Sequence, residues 1–274
     1  MSSLATLPPT DTLLLTLDGA VLHVTLNRPA LRNAMSEQMV NQLRAVFDAI
    51  ADDLSIRAVV LRGAGGHFCA GGDIKDMAGL RQQATADGST DAYVRFNRAF
   101  GALIEQVNHA PQVVVAVLEG AVLGGGFGLA CVSDVALAQH DAQFGLPETG
   151  LGVIPAQIAP FVVQRIGLTQ ARRLALLGAR FDAIEAERLG VIHQVLDSRE
   201  ALEHALQQTL QQIRRTAPNA SRVTKALLHQ SATCSQLAPL LDQAATQFAA
   251  AVASAEGMEG TLAFIQKRLP AWAE

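Results

Sequence analysis

Gly63-Ala-Gly-Gly-His-Phe-Cys-Ala-Gly-Gly-Asp73-Ile-Lys-Asp-Met77 is a glycine-dense stretch directly after the apolar run 58–61 and just before a helix-like segment. Glycines there let the backbone approach a ligand closely and leave N–H groups unpaired at a helix start, where negative charge is favoured. Leu118-Glu-Gly-Ala-Val-Leu-Gly-Gly-Gly-Phe-Gly-Leu-Ala-Cys131 repeats the arrangement between the run 113–118 and an apolar helix. Two such turns could supply two backbone donors to one ligand. Around them the pattern alternates: β-rich runs at 13–17 and 21–26, a helix near 36–51, the run 58–61 and a polar helix through 93–109. Ser36-x-x-Met39 opens the first helix, and Met39, Leu43, Val46, Phe47 and Ile50 form one buried stripe. The rhythm predicts an α/β fold. Residues 77–91 are polar and aperiodic and read as a mobile loop or lid. From about Leu202 the chain turns Ala-, Leu- and Gln-rich, with helices expected at 202–216, 221–237 and 239–255. That divides it into 1–200 and a helical unit, 201–274.

The 274 residues can bury a substantial core. No apolar run reaches the roughly 20 residues of a membrane span, and residues 1–11 show neither a signal nor a transit pattern. A soluble, cytoplasmic protein with no membrane partner is expected. A net charge of −4 and no Arg/Lys stripe give no electrostatic route to nucleic acid. Cys69, Cys131 and Cys234 form neither a CxxC pair nor a disulfide framework and read as small buried residues. The seven histidines lack ligand spacing, so no metal is expected, and His67 reads as a loop-packing residue. Gly124-x-Gly126 has Leu129 where a dinucleotide fingerprint needs glycine, and GxSxG, HExxH and Walker-type motifs are absent.

A third motif, Gln143-Phe-Gly-Leu-Pro-Glu148-Thr-Gly-Leu-Gly-Val-Ile-Pro155, sets one carboxylate after a proline among apolar residues. Desolvation raises such a pKa and suits a proton carrier near neutrality. The same residue reads equally as the first turn of a helix after Pro147.

Taken in order, Leu26-Asn-Arg-Pro29 with Asn33-Ala34, Phe68-Cys-Ala-Gly-Gly-Asp73-Ile-Lys, Gly124-Gly-Gly126 and Phe144-Gly-Leu-Pro-Glu148 resemble the crotonase (enoyl-CoA hydratase/isomerase) superfamily. Glu259-Gly-x-x-Ala263-Phe264-x-x-Lys267-Arg268 is similar to that family's C-terminal stretch. The resemblance implies a ββα spiral carrying an oxyanion hole and acyl-CoA site. It also implies a C-terminal helical trimerisation region, and a homotrimer or dimer of trimers. By position it makes Gly72 and Gly125 the oxyanion donors and Glu148 the acid/base. It sets Arg28, Arg32, Ala70, Asp73 and Ile74, with Phe264 and Lys267 of a neighbouring subunit, against CoA. CoA is part of the substrate, an acyl thioester, and no separate cofactor is implied.

Family hydratases usually carry a second glutamate about three residues after the oxyanion glycine; here that position is Gly128. A finer resemblance, in Gly152-Val-Ile-Pro-Ala-Gln-Ile-Ala-Pro-Phe-Val-Val-x-x-Ile-Gly167 and Gly124-Gly-Gly-Phe-Gly-Leu, is to bacterial glutaconyl-CoA hydratases. It implies hydration of a 3-substituted glutaconyl-CoA: first isohexenylglutaconyl-CoA of acyclic terpene breakdown, second 3-methylglutaconyl-CoA of leucine breakdown. An enoyl-CoA double-bond isomerase is the alternative that a single glutamate also fits. Residues 77–91 would then shape the acyl pocket, and Arg81 or Arg95 could meet the free carboxylate.

Overall fold

The computed structural model describes residues 7–273, the side chains of Ile74, Gln83, Ala84 and Asp87 excepted. Strands β1 (Leu13–Asp18) and β2 (Val21–Leu26) form an antiparallel hairpin, after which β3 (Ala58–Gly63), β4 (Val113–Leu118), β6 (Val135–Gln139) and β9 (Gln194–Leu196) add in parallel. The order across this six-stranded sheet is β1-β2-β3-β4-β6-β9. Parallel strands are covered on both faces, which is why β3 and β4 read as unbroken apolar runs rather than alternating ones. Val59, Leu61, Val114 and Ala116 face the larger core, whereas Ala58, Val60, Val115 and Val117 face the other side.

The larger core is filled by α1 (Glu37–Ile50), α3 (Asp91–His109), α4 (Gly125–Val132) and α5 (Ala159–Leu177). The opposite face is closed by α7 (Arg199–Arg215) through Leu202, Ala205, Leu206, Leu210 and Ile213. The expected helices recur as α1, α3, α7, α8 (Pro218–Thr233) and α9 (Leu237–Ala253), and Ser36 Oγ caps α1 by accepting from Met39 N–H. A last helix, α10 (Ala255–Ile265), follows. Helices α8 and α9 bury no residue within the chain, and Leu228, Leu237, Leu241, Phe248 and Val252 stand exposed. Lys225 fastens α8 to the sheet through Asp134 at 2.7 Å. No described helix is long and apolar enough to cross a membrane.

The expected loop over 77–91 is corrected: α2 (Ile74–Asp87) fills most of it. Asp73 caps it by accepting from Lys75 N–H, and Gly88 ends it in the left-handed conformation. The intervening residues are good helix formers without an apolar stripe, so periodicity was silent there. The short helix α6 (Ala183–Arg188) and the strands β5 (Ala121–Leu123), β7 (Gln143–Gly145) and β8 (Arg180–Asp182) complete the chain. These three strands form a small second sheet, β5-β7-β8, with β5 and β7 parallel.

Asn33 ties the loops together at the end of the large sheet. Fully buried and at φ 56°, it accepts from Arg28 N–H at 2.8 Å and donates to Ala64 O at 2.9 Å and His67 O at 2.6 Å. Asn33→Ala strands a buried donor and two acceptors and sets an alanine in a conformation that asparagine tolerates better. A loss of about 3 kcal/mol follows, a melting temperature lower by roughly 6–12 °C in calorimetry.

Candidate active site

The loop 68–73 is zipped along both edges. On one side Phe68 N–H donates to Glu119 O, Cys69 N–H to Ala121 O and Leu123 N–H to Cys69 O. On the other, Met35 N–H donates to Gly71 O and Asp73 N–H to Met35 O. This parallel bridge between Met35 and Gly72 does not use the N–H of Gly72. His67 steadies the base of the loop, its Nδ1 accepting from Ala121 N–H at 3.1 Å. It therefore packs the loop, as its neighbours suggested.

At the second turn Gly124 adopts φ 50° and ψ −116° and donates to Gly145 O, after which α4 begins at Gly125. As the first helical residue, Gly125 has no carbonyl one turn behind it to receive its N–H. Phe100 of α3 lies against it: a β-carbon at Gly125 would stand 2.9 Å from the ring edge. A β-carbon at Gly126 would stand 2.7 Å from that of Cys69, so the first turn of α4 rests on the loop 68–73. Both turns lie beyond the carboxyl ends of parallel strands, where open α/β sheets gather ligands.

Glu148 follows from β7. It opens a 3-10 turn, Glu148–Leu151, after Pro147, so the helix-start reading holds, but the backbone N–H that its carboxylate meets is its own. The carboxylate turns instead toward the glycines: a β-carbon at Gly124 would lie 3.0 Å from Glu148 Oε1 and 3.5 Å from Gly71 Cα. Glu148 Oε2 is buried and has no hydrogen-bond partner. Burial pushes its pKa above the ordinary glutamate value, opposed only by its own backbone N–H. The three motifs thus converge on one carboxylate and two glycine turns.

Gly128 does more than omit a second glutamate. A β-carbon there would overlap Ile158 Cγ2, stand 3.0 Å from Ile158 Cβ and 3.6 Å from Ile104 Cδ1. Ile158, buried just before α5, fills the space with hydrocarbon. This wall was invisible in sequence, because its two sides are 30 residues apart.

The residues expected against CoA are divided. Arg28 is already engaged, donating to Asp73 Oδ2 at 2.6 Å and Ala34 O at 2.5 Å. Burial alone would raise the Asp73 carboxyl, but Arg28 and the N–H of Lys75 outweigh it and hold it below the usual range. Arg32 is exposed and in the left-handed conformation, and its carbonyl accepts from Ala70 N–H at 3.0 Å. Ile74 starts α2, with its side chain outside the described set. Phe264 and Lys267 stand exposed at the far end of α10, and no described hydrogen bond ties them to the loops. Cys69 and Cys131 are buried, their thiols pushed up to about 11 and about 12 by burial, whereas Cys234 is exposed, contrary to expectation.

Free backbone donors beside one desolvated carboxylate suit chemistry in which a carbonyl oxygen gains charge while a neighbouring carbon exchanges a proton. The enoyl-CoA hydratase/isomerase family matches residues 16–274. Among solved structures, Pseudomonas aeruginosa AtuE is 64% identical with a TM-score of 0.92, over 96% of this chain and 100% of that one. An enoyl-CoA hydratase/isomerase from Marinobacter aquaeolei is 60% identical, also at 0.92, over 96% and 99%. The 2,3-dehydroadipyl-CoA hydratase of Escherichia coli K12 is 34% identical over 91% of this chain and 94% of its own. The chain belongs to the enoyl-CoA hydratase/isomerase family and is a hydratase-type lyase acting on CoA thioesters.

Proposed function

We propose that this enzyme adds water to a 3-substituted glutaconyl-CoA, isohexenylglutaconyl-CoA before 3-methylglutaconyl-CoA, in the cytoplasm and without a cofactor beyond the CoA of its substrate. The carrying observation is the Glu148 carboxylate, its Oε2 buried without a hydrogen-bond partner, beside the two glycine turns at Gly71 and Gly124. The substrate choice is supported by the resemblance of residues 152–167 and 124–129 to glutaconyl-CoA hydratases, and by a relative named for another enoyl thioester of a dicarboxylic acid.

In this reading the N–H groups of Gly72 and Gly125 hold the thioester oxygen. Glu148 takes a proton from water as its oxygen bonds to C3, and electrons move onto the thioester oxygen as an enolate. Glu148 then returns that proton to C2, the carbonyl re-forms, and the carboxylate is regenerated. One group can do both transfers because they are successive, so the hydrocarbon at Gly128 and Ile158 is compatible with hydration. Arg28 holds the loop through Asp73, while Arg32, and Phe264 and Lys267 of a neighbouring subunit, meet CoA. The exposed apolar residues of α8 and α9 are then covered in a homotrimer or a dimer of trimers.

Purified protein should bleach the enoyl absorbance of both thioesters and incorporate one oxygen from labelled water; no turnover of either sinks the reading. A moved double bond without label would make it an isomerase, the reading that a single carboxylate also fits. The acid limb of kcat/KM should lie above the ordinary glutamate value, because activity is lost as pH falls through the raised Glu148 pKa. A limb at or below that value would remove Glu148 as the base in free enzyme.

A further inference from the structure

Helices α3 and α4 run side by side in the same direction: Phe100 lies against Gly125 and Ile104 against Gly128. Asn97, one turn before Phe100 and Gly101, therefore projects about 5 Å beyond the start of α4, on the side from which a ligand reaches Gly125. There it meets Gln157, whose Nε2 donates to Asn97 Oδ1 at 2.8 Å across 60 residues of sequence. Gly101 makes room for this contact, because a β-carbon there would overlap Gln157 Oε1 and stand 2.7 Å from its Cδ. The same point lies 2.8 Å from Arg98 Nη1, so a guanidinium edge flanks the amide pair. Arg98 Nη2 is bound to Glu105 at 3.0 Å, with both side chains about half exposed. Arg95, two residues from Asn97 on the same helix, is turned to another face and exposed.

We propose that Asn97 and Gln157, flanked by Arg98, form an acyl-end subsite that binds the free carboxylate of a dicarboxylic enoyl thioester. This rests on the glutaconyl reading above and names the residues that select it. Gln157 spends one N–H on Asn97 Oδ1, and the two N–H groups of Asn97 Nδ2 remain to be given to an anion. In a glutaconyl thioester the distal carboxylate carbon is four carbon–carbon bonds from the thioester carbon, about 5 Å, comparable to the one-turn rise that sets Asn97 ahead of the start of α4 along the helix axis. Burial is partial at both amides, so they line an accessible wall rather than the core. Phe100 and Ile158, one against Gly125 and the other against Gly128, put hydrocarbon beside this polar pair.

The test compares 3-methylglutaconyl-CoA with 3-methylcrotonyl-CoA, which has the same branch but no second carboxylate. Wild-type enzyme should prefer the diacid, and in Gln157→Leu and Asn97→Leu the ratio of the two kcat/KM values should fall about 10- to 100-fold, the scale of a hydrogen bond to a charged group. The near-isosteric Asn97→Asp and Gln157→Glu, which keep the packing if the leucine variants fail to fold, should lower the ratio further by repulsion and act through KM. Equal losses on both thioesters would overturn the subsite and leave the pair a structural clasp. A wild-type enzyme that favours the monoacid would overturn the glutaconyl reading itself, before any variant is made.

Discussion

Glu148→Gln lowers kcat on the preferred enoyl thioester by roughly 10²- to 10⁴-fold, the usual contribution of a positioned acid/base, about 3–5 kcal/mol of barrier. Thioester binding persists, because the glutamine keeps the shape of the side chain and the glycine turns are untouched. The reasoning is local. Glu148 Oε2 meets no protein donor, so its proton affinity is set by burial and no other side chain is hydrogen-bonded to it to take over. Stopped-flow absorbance with isothermal titration separates turnover from binding, and a variant retaining more than a tenth of wild-type kcat would place the proton carrier elsewhere. A stability effect accompanies the loss. The folded pKa of Glu148 lies above its unfolded value, so the native state is penalised where the group is ionised, fully so at pH above the raised value. The glutamine variant should melt higher than wild type at pH 8, with the difference shrinking as pH falls through the raised folded value and gone below the unfolded one.

Gly128→Glu, which supplies by sequence the second carboxylate of a two-glutamate hydratase, yields a damaged protein rather than a faster one. Its β-carbon enters the volume of Ile158, a β-branched side chain 2% exposed and unable to retract. Overpacking alone costs about 1–3 kcal/mol, and the buried carboxylate adds a desolvation penalty. Melting lower by roughly 5–10 °C follows, at 2–4 °C per kcal/mol for a chain of this size. Pairing it with Ile158→Ala should recover part of the stability by vacating the space. If Gly128→Glu alone is as stable as wild type and hydrates faster, the apolar wall is not what fixes the one-carboxylate arrangement.

How much of this could be read beforehand depends on where each signal lies along the chain. Helix α1 was legible because its cap, Ser36, and its apolar stripe are local, and β3 and β4 because a parallel strand is apolar on both faces. The glycine turns and Glu148 were legible as three separate segments. Their meeting was carried by the order of the motifs, since none alone distinguishes a ligand turn from an ordinary one. Helix α2 was not legible: its stability comes from the Asp73 cap and the Gly88 stop, and its exposed residues carry no period. Helix α5 is interrupted by Gly167 at φ 74°, which breaks the pattern a sequence window seeks. The absence at Gly128 was plain in sequence, but the isoleucine occupying its space was not, and the Asn97–Gln157 contact depends on a glycine, Gly101, that looks like a helix weakness. The resemblance set Arg28 against CoA, and nothing local announces Asp73, 45 residues away, as its partner.

The unequal nature of the converging groups has a genetic consequence. Glu148 is a side chain, and a single codon change deletes it. The N–H groups at 72 and 125 belong to the main chain, and no substitution deletes either one except proline. Point mutation can displace them only by deforming the loop 68–73 or the start of α4. That part of the site is inherited with the fold, leaving the lineage free to vary the acyl wall and the carboxylate while the grip is kept.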